Sequence, residues 1–231
     1  MIKLFSTSPK IEKSDKAGLG FLSKIMYFAP HKASGYNVCS AASPGCIEGC
    51  LHTSGFGGIY PTVPAGRIKR TKFFFENRPQ FLIQLHKEVK NFEKLCARKN
   101  AMPALRLNGL SDLPWEKLCN IIQEFPNVQF YDYTKIRSRM VRFINKELPQ
   151  NYHLTFSMSE INIEHCKEIL SLGGNVAVVF RNKNLPKKFL GKKVFNGDHT
   201  DLRFLDPKKC VVGLYAKGRA RYDVSGFVVN N

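Results

Sequence analysis

YHLTFSMSEINIEHCKEILSLGGNVAVVF, residues 152–180, is the stretch that decides the fold. Tyr152–Ser157 alternates apolar and polar side chains, the period of a strand. Ile163–Leu172 carries apolar residues at helical spacing, with Asn162 placed to cap its start and Gly173 to stop it. Val176–Phe180 is apolar throughout, as expected of a strand covered on both faces. A strand, one helix and a second strand in so few residues require a crossover. The two strands are then expected to pair in parallel with a right-handed connection.

The same alternation extends both ways. Upstream, Ala104–Asn108 and Val128–Tyr133 read as strands, and Pro114–Glu124 and Ile136–Lys146 as helices. Downstream, Val211–Tyr215 reads as another strand. Before them Phe81, Leu85, Val89, Phe92 and Cys96 recur at one helix face, behind Pro79 in a first-turn position. The expected fold class is α/β with parallel strands, a complete or partial (β/α) barrel, or the open sheet that the same pattern permits. One domain of residues 1–231 is expected. Within it residues 1–35 form an irregular N-terminal arm with room for one strand. Residues 37–66, rich in Gly and Pro, form a long cysteine-bearing loop. Residues 78–215 form the β/α core and 216–231 a C-terminal segment.

Lys and Arg number 36 against 18 Asp and Glu, a formal charge of +18, and 43% of residues are hydrophobic. The apolar share excludes a disordered chain, and the charge points to a polyanionic partner, a nucleic acid or a nucleotide. No run of 18 apolar residues exists, so no membrane is expected. Met1–Ser6 lacks the pattern of a secretory leader, which leaves a cytoplasmic location as the expectation. Seven cysteines in a reducing compartment are not a disulfide framework. The chain has no phosphate-binding Gly loop, no HExxH and no nucleophile elbow.

In parallel α/β folds ligands gather at the carboxyl ends of the strands. Those ends hold Asn108, Ser111 and Asp112, then Asp132, Thr134 and Lys135, then Ser157, Ser159 and Glu160, then Arg181. Helix capping accounts for any one of them. Asp132, Lys135, Glu160 and Arg181 together are more charge than capping needs, so a pocket lined by Asp112, Asp132, Lys135 and Arg181 is expected.

Cys39, Cys46 and Cys50 fall within twelve residues of a flexible loop. Three soft thiolates so close suit one metal centre, with Gly45 and Gly49 leaving room for a cluster. A [4Fe–4S] cluster, a zinc ion completed by His52, and three ordinary thiols all remain open. Cys96, Cys119 and Cys166 lie on expected helices, where a small buried hydrophobe is the simpler reading, and Cys210 is a distant ligand candidate. Asp198, His199 and Asp201 read as a hard-metal or acid–base group or as a plain turn. Three basic runs, at 67–72, 181–193 and 217–221, strengthen the case for a polyanion, with Phe73, Phe74 and Phe75 read as core.

The segments NVCSAASPGCIEGCL (37–51), LRLNGLSDLPWE (105–116), VQFYDYTK (128–135), YHLTFSMSE (152–160), NVAVVF (175–180) and DLRFLDP (201–207) resemble a phage-borne family, the gene product 88-like proteins. That resemblance implies a viral or prophage setting, hence a host cytoplasm, and no reaction. More distantly, a three-cysteine loop before successive βα units resembles the radical S-adenosylmethionine enzymes. Carried over, it implies an enzyme in which Cys39, Cys46 and Cys50 hold a [4Fe–4S] cluster. Asn108, Gly109, Ser157 and Glu160 would then contact S-adenosylmethionine. The chain departs from that group in spacing, C-x6-C-x3-C here against C-x3-C-x2-C. It also has Gly49 where an aromatic residue is usual, and Asn108-Gly109-Leu110 where Gly-Gly-Glu is usual. The rival expectation is a zinc-stabilised nucleic-acid-binding protein without catalysis.

Overall fold

The computed structural model describes residues 2–231. Among the described residues there are ten strands: β1 (Phe5–Ser6), β2 (Phe21–Met26), β3 (Met102–Arg106), β4 (Gln129–Thr134), β5 (Tyr152–Ser157), β6 (Val176–Phe180), β7 (Lys188–Phe189), β8 (Lys192–Asn196), β9 (Val211–Tyr215) and β10 (Val228–Val229). They form one mostly parallel sheet in the order β1-β2-β3-β4-β5-β6-β9-β8-β7, which does not close on itself. From β2 to β9 every neighbouring pair is parallel, and antiparallel pairing is confined to β1 on β2 and β7 on β8. The α/β class and the parallel strands are as the alternation requires.

β10 shares an edge of β6 with β5. The Ala177 carbonyl accepts the Met158 N–H, and two steps of the pleat further on Arg181 N–H donates to Val229. Residues of the same parity face the same neighbour. β10 therefore takes over that edge where β5 leaves it, and this brings the C-terminus to the carboxyl end of the sheet.

Side-chain parity separates two faces. Leu105, Phe130, Leu154, Phe156, Val176, Val178 and Phe180 share one core with Phe81, Leu85, Val89 and Phe92 of the helix Arg78–Arg98 and with Ile169 and Leu170 of Ile163–Ser171. The other face carries Ala104 and Tyr131, packed with Leu202 and Phe204. Phe204 sits edge-on to both Phe21 and Tyr131. Lys10 and Arg106 both pair with Asp201, each at 3.3 Å, so the segment around Arg203–Leu205 and the helix Pro9–Lys16 are pinned to this face.

The N-terminal arm needs correction. It holds the helix Pro9–Lys16 and β2, the first parallel strand of the sheet. Phe21-Leu22-Ser23-Lys24-Ile25-Met26 hides its alternation because Ser23 is buried and Lys24 lays its ammonium over the Phe92 ring, 4.6 Å from the centroid. The cysteine loop also has more structure than its Gly and Pro suggest: Pro44–Glu48, Leu51–Thr53 and Phe56–Ile59 are short helical turns. The helix Thr62–Glu76 then absorbs the basic and aromatic run. On it Arg70 donates to the Lys3 and Tyr27 carbonyls and Arg67 to the His52 carbonyl, so two cations expected at a polyanion surface are spent inside the fold. Phe74 is buried among Phe28, Phe81 and Trp115.

Candidate metal centre

The chain leaves β2 at Met26 and crosses the carboxyl ends of the sheet before it enters its helices. Two backbone ties fix the crossing: Gly109 N–H donates to Met26 O at 2.9 Å and Asp112 N–H to Val38 O at 2.8 Å. Gly109 is required here, since a Cβ would overlap the Tyr27 ring and the Met26 carbonyl. Cys39 follows directly, its thiol 3.6 Å from the Leu110 carbonyl.

Cys46 rides on the turn Pro44–Glu48, which docks on two partners. The Glu160 carboxylate accepts Ser43 Oγ–H and Gly45 N–H, both at 2.7 Å. Behind the turn stands the C-terminal segment. A Cβ on Gly45 would meet Ser225 and Phe227, and one on Gly49 would meet Ala220 and Phe227. These two glycines therefore serve close packing of the loop, a correction to their reading as room for a cluster.

The three thiols lie in one electrostatic neighbourhood, with Lys135 among them. The Cys39 thiol is pushed up to about 12, by burial first and then by Asp112, Cys46 and Cys50, with Lys135 opposing. Burial also raises Cys50, and Cys46 adds to this; the His52 backbone and the Arg67 and Lys135 cations pull the other way. Lys135 Nζ is held by Ser157 Oγ at 2.9 Å and lies 5.7 Å from the centre of the Phe227 ring. All three cysteines are half-buried and free. Among the described residues no three His, Cys, Asp or Glu side chains stand close enough together to hold a metal ion as they are. In kind, three free thiols suit a soft metal, and the Lys135 cation opposes the burial that holds Cys39 and Cys50 toward the neutral thiol.

The other strand-end residues divide sharply. Asn108 and Asp132 are not at the mouth but within the sheet–helix layer, because residue 132 shares its parity with Phe130. Asp132 accepts from Asn108 N–H, Asn108 Nδ2 and Tyr152 O–H, and burial lifts it to about 7. The Asn108 carbonyl accepts from Ser111, Leu113 N–H and Trp115, which leaves it nothing for a cofactor. Asp112 bonds Arg139 at 2.6 Å and caps Lys135 N–H at 2.8 Å. Arg181 is turned to the C-terminal segment, donating to the Arg221 and Asp223 carbonyls and to Asn230. Of the expected set, Asp112 and Lys135 act on the thiols through their charge, Glu160 holds the turn that carries Cys46, and Ser157 joins them through Lys135.

Asp198 is occupied by Lys217 and Tyr215 N–H, and Asp201 by Lys10 and Arg106. The expected hard-metal group is thus neutralised by the chain's own cations. Cys210 is buried away from the trio, its thiol on the Pro207 carbonyl at 3.0 Å. Cys96 and Cys166 are buried core residues, as expected. His52 is buried with no hydrogen-bond partner for Nδ1. Sequence reasoning missed Arg139, Ala220 and Phe227, since nothing in their local spacing shows which distant segment they meet.

Among the described residues no helix is long and apolar enough to cross a membrane. No curated protein and no solved structure matches this chain. A match to one family runs over residues 3–231, nearly the whole length, and on it the chain belongs to the family described as Gene product 88.

Proposed function

We propose that this protein is an iron–sulfur enzyme resembling the radical S-adenosylmethionine group, built on a partial (β/α) barrel and acting on an anionic substrate, a nucleotide or nucleic acid. The observation that carries the reading is placement. The thiol loop follows the first parallel strand, β2, and lies over the carboxyl ends of β3 to β6, with Lys135 among its sulfurs. Cys39, Cys46 and Cys50 are the ligands. Held by these three thiolates, a [4Fe–4S] cluster would leave one iron without a protein ligand and would supply one-electron chemistry toward S-adenosylmethionine.

The chain's own residues supply the rest. Lys135, fixed by Ser157, presents a positive charge that favours thiolate and draws an anionic group toward the mouth. Glu160 holds the turn that carries Cys46. Phe227 stands beside the Lys135 ammonium and packs against Ala216, Ala220 and Val228. The unpaired surface lysines of a chain with +18 formal charge draw polyanions from a distance.

One observation favours a second reading, a zinc-stabilised nucleic-acid-binding protein without catalysis: the unpartnered Nδ1 of buried His52, two residues beyond Cys50. Anaerobic purification with iron, sulfide and zinc analysis separates the two. Iron with sulfide and a brown colour, lost in Cys46→Ser and kept in His52→Ala, supports the cluster. Zinc without colour, lost in His52→Ala, supports the second reading. Protein free of both metals sinks both.

A further inference from the structure

Large apolar side chains stand in water in one neighbourhood of the molecule. Phe56, Ile59 and Tyr60 are 52%, 66% and 54% exposed, and Tyr222 and Val224 are 83% and 99% exposed. Ile47 and Leu51, next to Cys46 and Cys50, are also exposed. The two stretches adjoin. The turn Leu51–Thr53 packs on both Phe56–Ile59 and Gly218–Tyr222, and a Cβ on Gly218 would run into the Ser54 hydroxyl. The fold thus gathers three exposed aromatic rings beside the thiol loop.

Cations border these rings. Arg219 and Arg221 are exposed on the same turn as Tyr222. Arg221 and Lys183 both lie over the Tyr215 ring, each 5.6 Å from its centre. Lys217 is held by Asp198 and the exposed Glu48 by Lys32, so neither changes the sign of the face. Leaving such rings in water costs stability, and a core would have taken them. Exposed aromatics bordered by arginine on a strongly basic chain are the requirements of a single-strand platform: rings for stacking, cations for phosphate.

We infer that the face formed by Phe56, Tyr60 and Tyr222 with Arg219 and Arg221 binds single-stranded DNA beside the thiol centre. The inference rests on the reading of that centre as acting on an anionic substrate, and it names the substrate class. A duplex buries its base faces and gives the rings nothing to stack on. Phe56, Ile59 and Leu51 carry no side-chain donor or acceptor with which to read a 2′-hydroxyl, so the face holds nothing that selects RNA, and the RNA strand is the control. An anionic membrane is disfavoured because the apolar residues sit on separate short turns and not on one amphipathic helix.

The test is fluorescence anisotropy of a labelled oligodeoxythymidine with the full chain, purified anaerobically, and metal content measured on every sample. Wild type should bind the strand, more weakly as salt rises. The Phe56→Ala/Tyr222→Ala double variant should bind at least about tenfold more weakly with its salt dependence intact. Arg219→Glu/Arg221→Glu should weaken binding and flatten the salt dependence. All these residues are exposed, so thermal midpoints and metal content should match wild type. Equal or tighter binding of the duplex, of the RNA strand or of anionic vesicles would overturn the inference, as would an unchanged affinity in the aromatic variant. Absence of any strand binding in protein that retains its metal removes this inference alone. Binding as expected in protein free of metal removes the cluster and leaves the platform.

Discussion

Glu160 accepts the N–H of Gly45 at 2.7 Å, across 115 positions of sequence, and so ties the end of β5 to the turn that bears Cys46. The same carboxylate takes Ser43 Oγ–H, whose oxygen caps the Cys46 N–H at 3.3 Å. A single side chain thus fixes where one thiol of the trio stands.

Replacing Glu160 by Ala strips both donors of their acceptor. The expected loss is about 1–3 kcal/mol, the cost of leaving a half-buried donor unpaired. Glu160→Gln should be milder, since the amide keeps one oxygen for Gly45 N–H and Ser43 Oγ can accept from its NH2. Hydrogen exchange should speed up at Gly45 and Cys46 in Glu160→Ala and stay near wild type in the helix Arg78–Arg98. Equal protection of Gly45 in wild type and Glu160→Ala would show that the contact does not hold the turn.

Arg139 is the second prediction. Its guanidinium is buried and meets Asp112 at 2.6 Å, Glu116 at 2.9 and 3.0 Å and the Tyr152 hydroxyl at 2.9 Å. Tyr152 passes the connection to Asp132, and Asp132 to Asn108. Arg139→Met removes one charge and strands two carboxylates beneath the helices. A loss of about 3–5 kcal/mol is expected, because breaking a buried pair leaves an uncompensated charge. Arg139→Lys keeps the charge, yet one ammonium cannot serve three partners in the geometry of a planar fork, so its loss should fall between. Urea unfolding midpoints check both. A change under 1 kcal/mol in Arg139→Met, on the order of a surface pair, would mean that water reaches this network.

The middle of the chain was legible because its physics is local. Tyr152–Ser157, Val176–Phe180 and Val211–Tyr215 declare themselves by period and β-branching, and the structure has strands on these residues. Phe81, Leu85, Val89, Phe92 and Cys96 are the buried face of one long helix for the same reason. β2 was not legible, because Ser23 and Lys24 interrupt its pattern and are compensated only by distant partners such as Phe92. The candidate site was half legible. Three thiols in twelve residues are a local signal, and so are polar strand ends. Which of those ends face the thiols depends on parity: residue 157 turns to the mouth and residue 132 to the helices. Arg67, Arg70 and Arg181 read as surface charge because sequence does not reveal the free carbonyls that each one meets.

His153 gives a prediction in pH. Burial first, then the Arg203 cation, holds its pKa down to about 4, against an ordinary 6.5. Its Nε2 has no hydrogen-bond partner, and its ring stands edge-on to Phe143 with centroids 5.1 Å apart. Between these two values the unfolded chain binds a proton that the folded chain refuses. Stability from this group is therefore complete above the unfolded value and is lost as pH falls toward the folded one, by up to about 3 kcal/mol. Asp132 acts in the opposite sense. Its folded value of about 7 lies above the ordinary 3.8, so its contribution grows as pH falls through the same range. The wild-type profile mixes the two, and the informative quantity is the difference between wild type and His153→Leu, in which Asp132 cancels. Thermal midpoints across that range should fall less steeply with acid in His153→Leu than in wild type, and the gap should vanish near neutrality apart from a constant packing offset. Parallel profiles would mean that His153 accepts its proton in the folded state as readily as in the unfolded one, and hence that water reaches its ring.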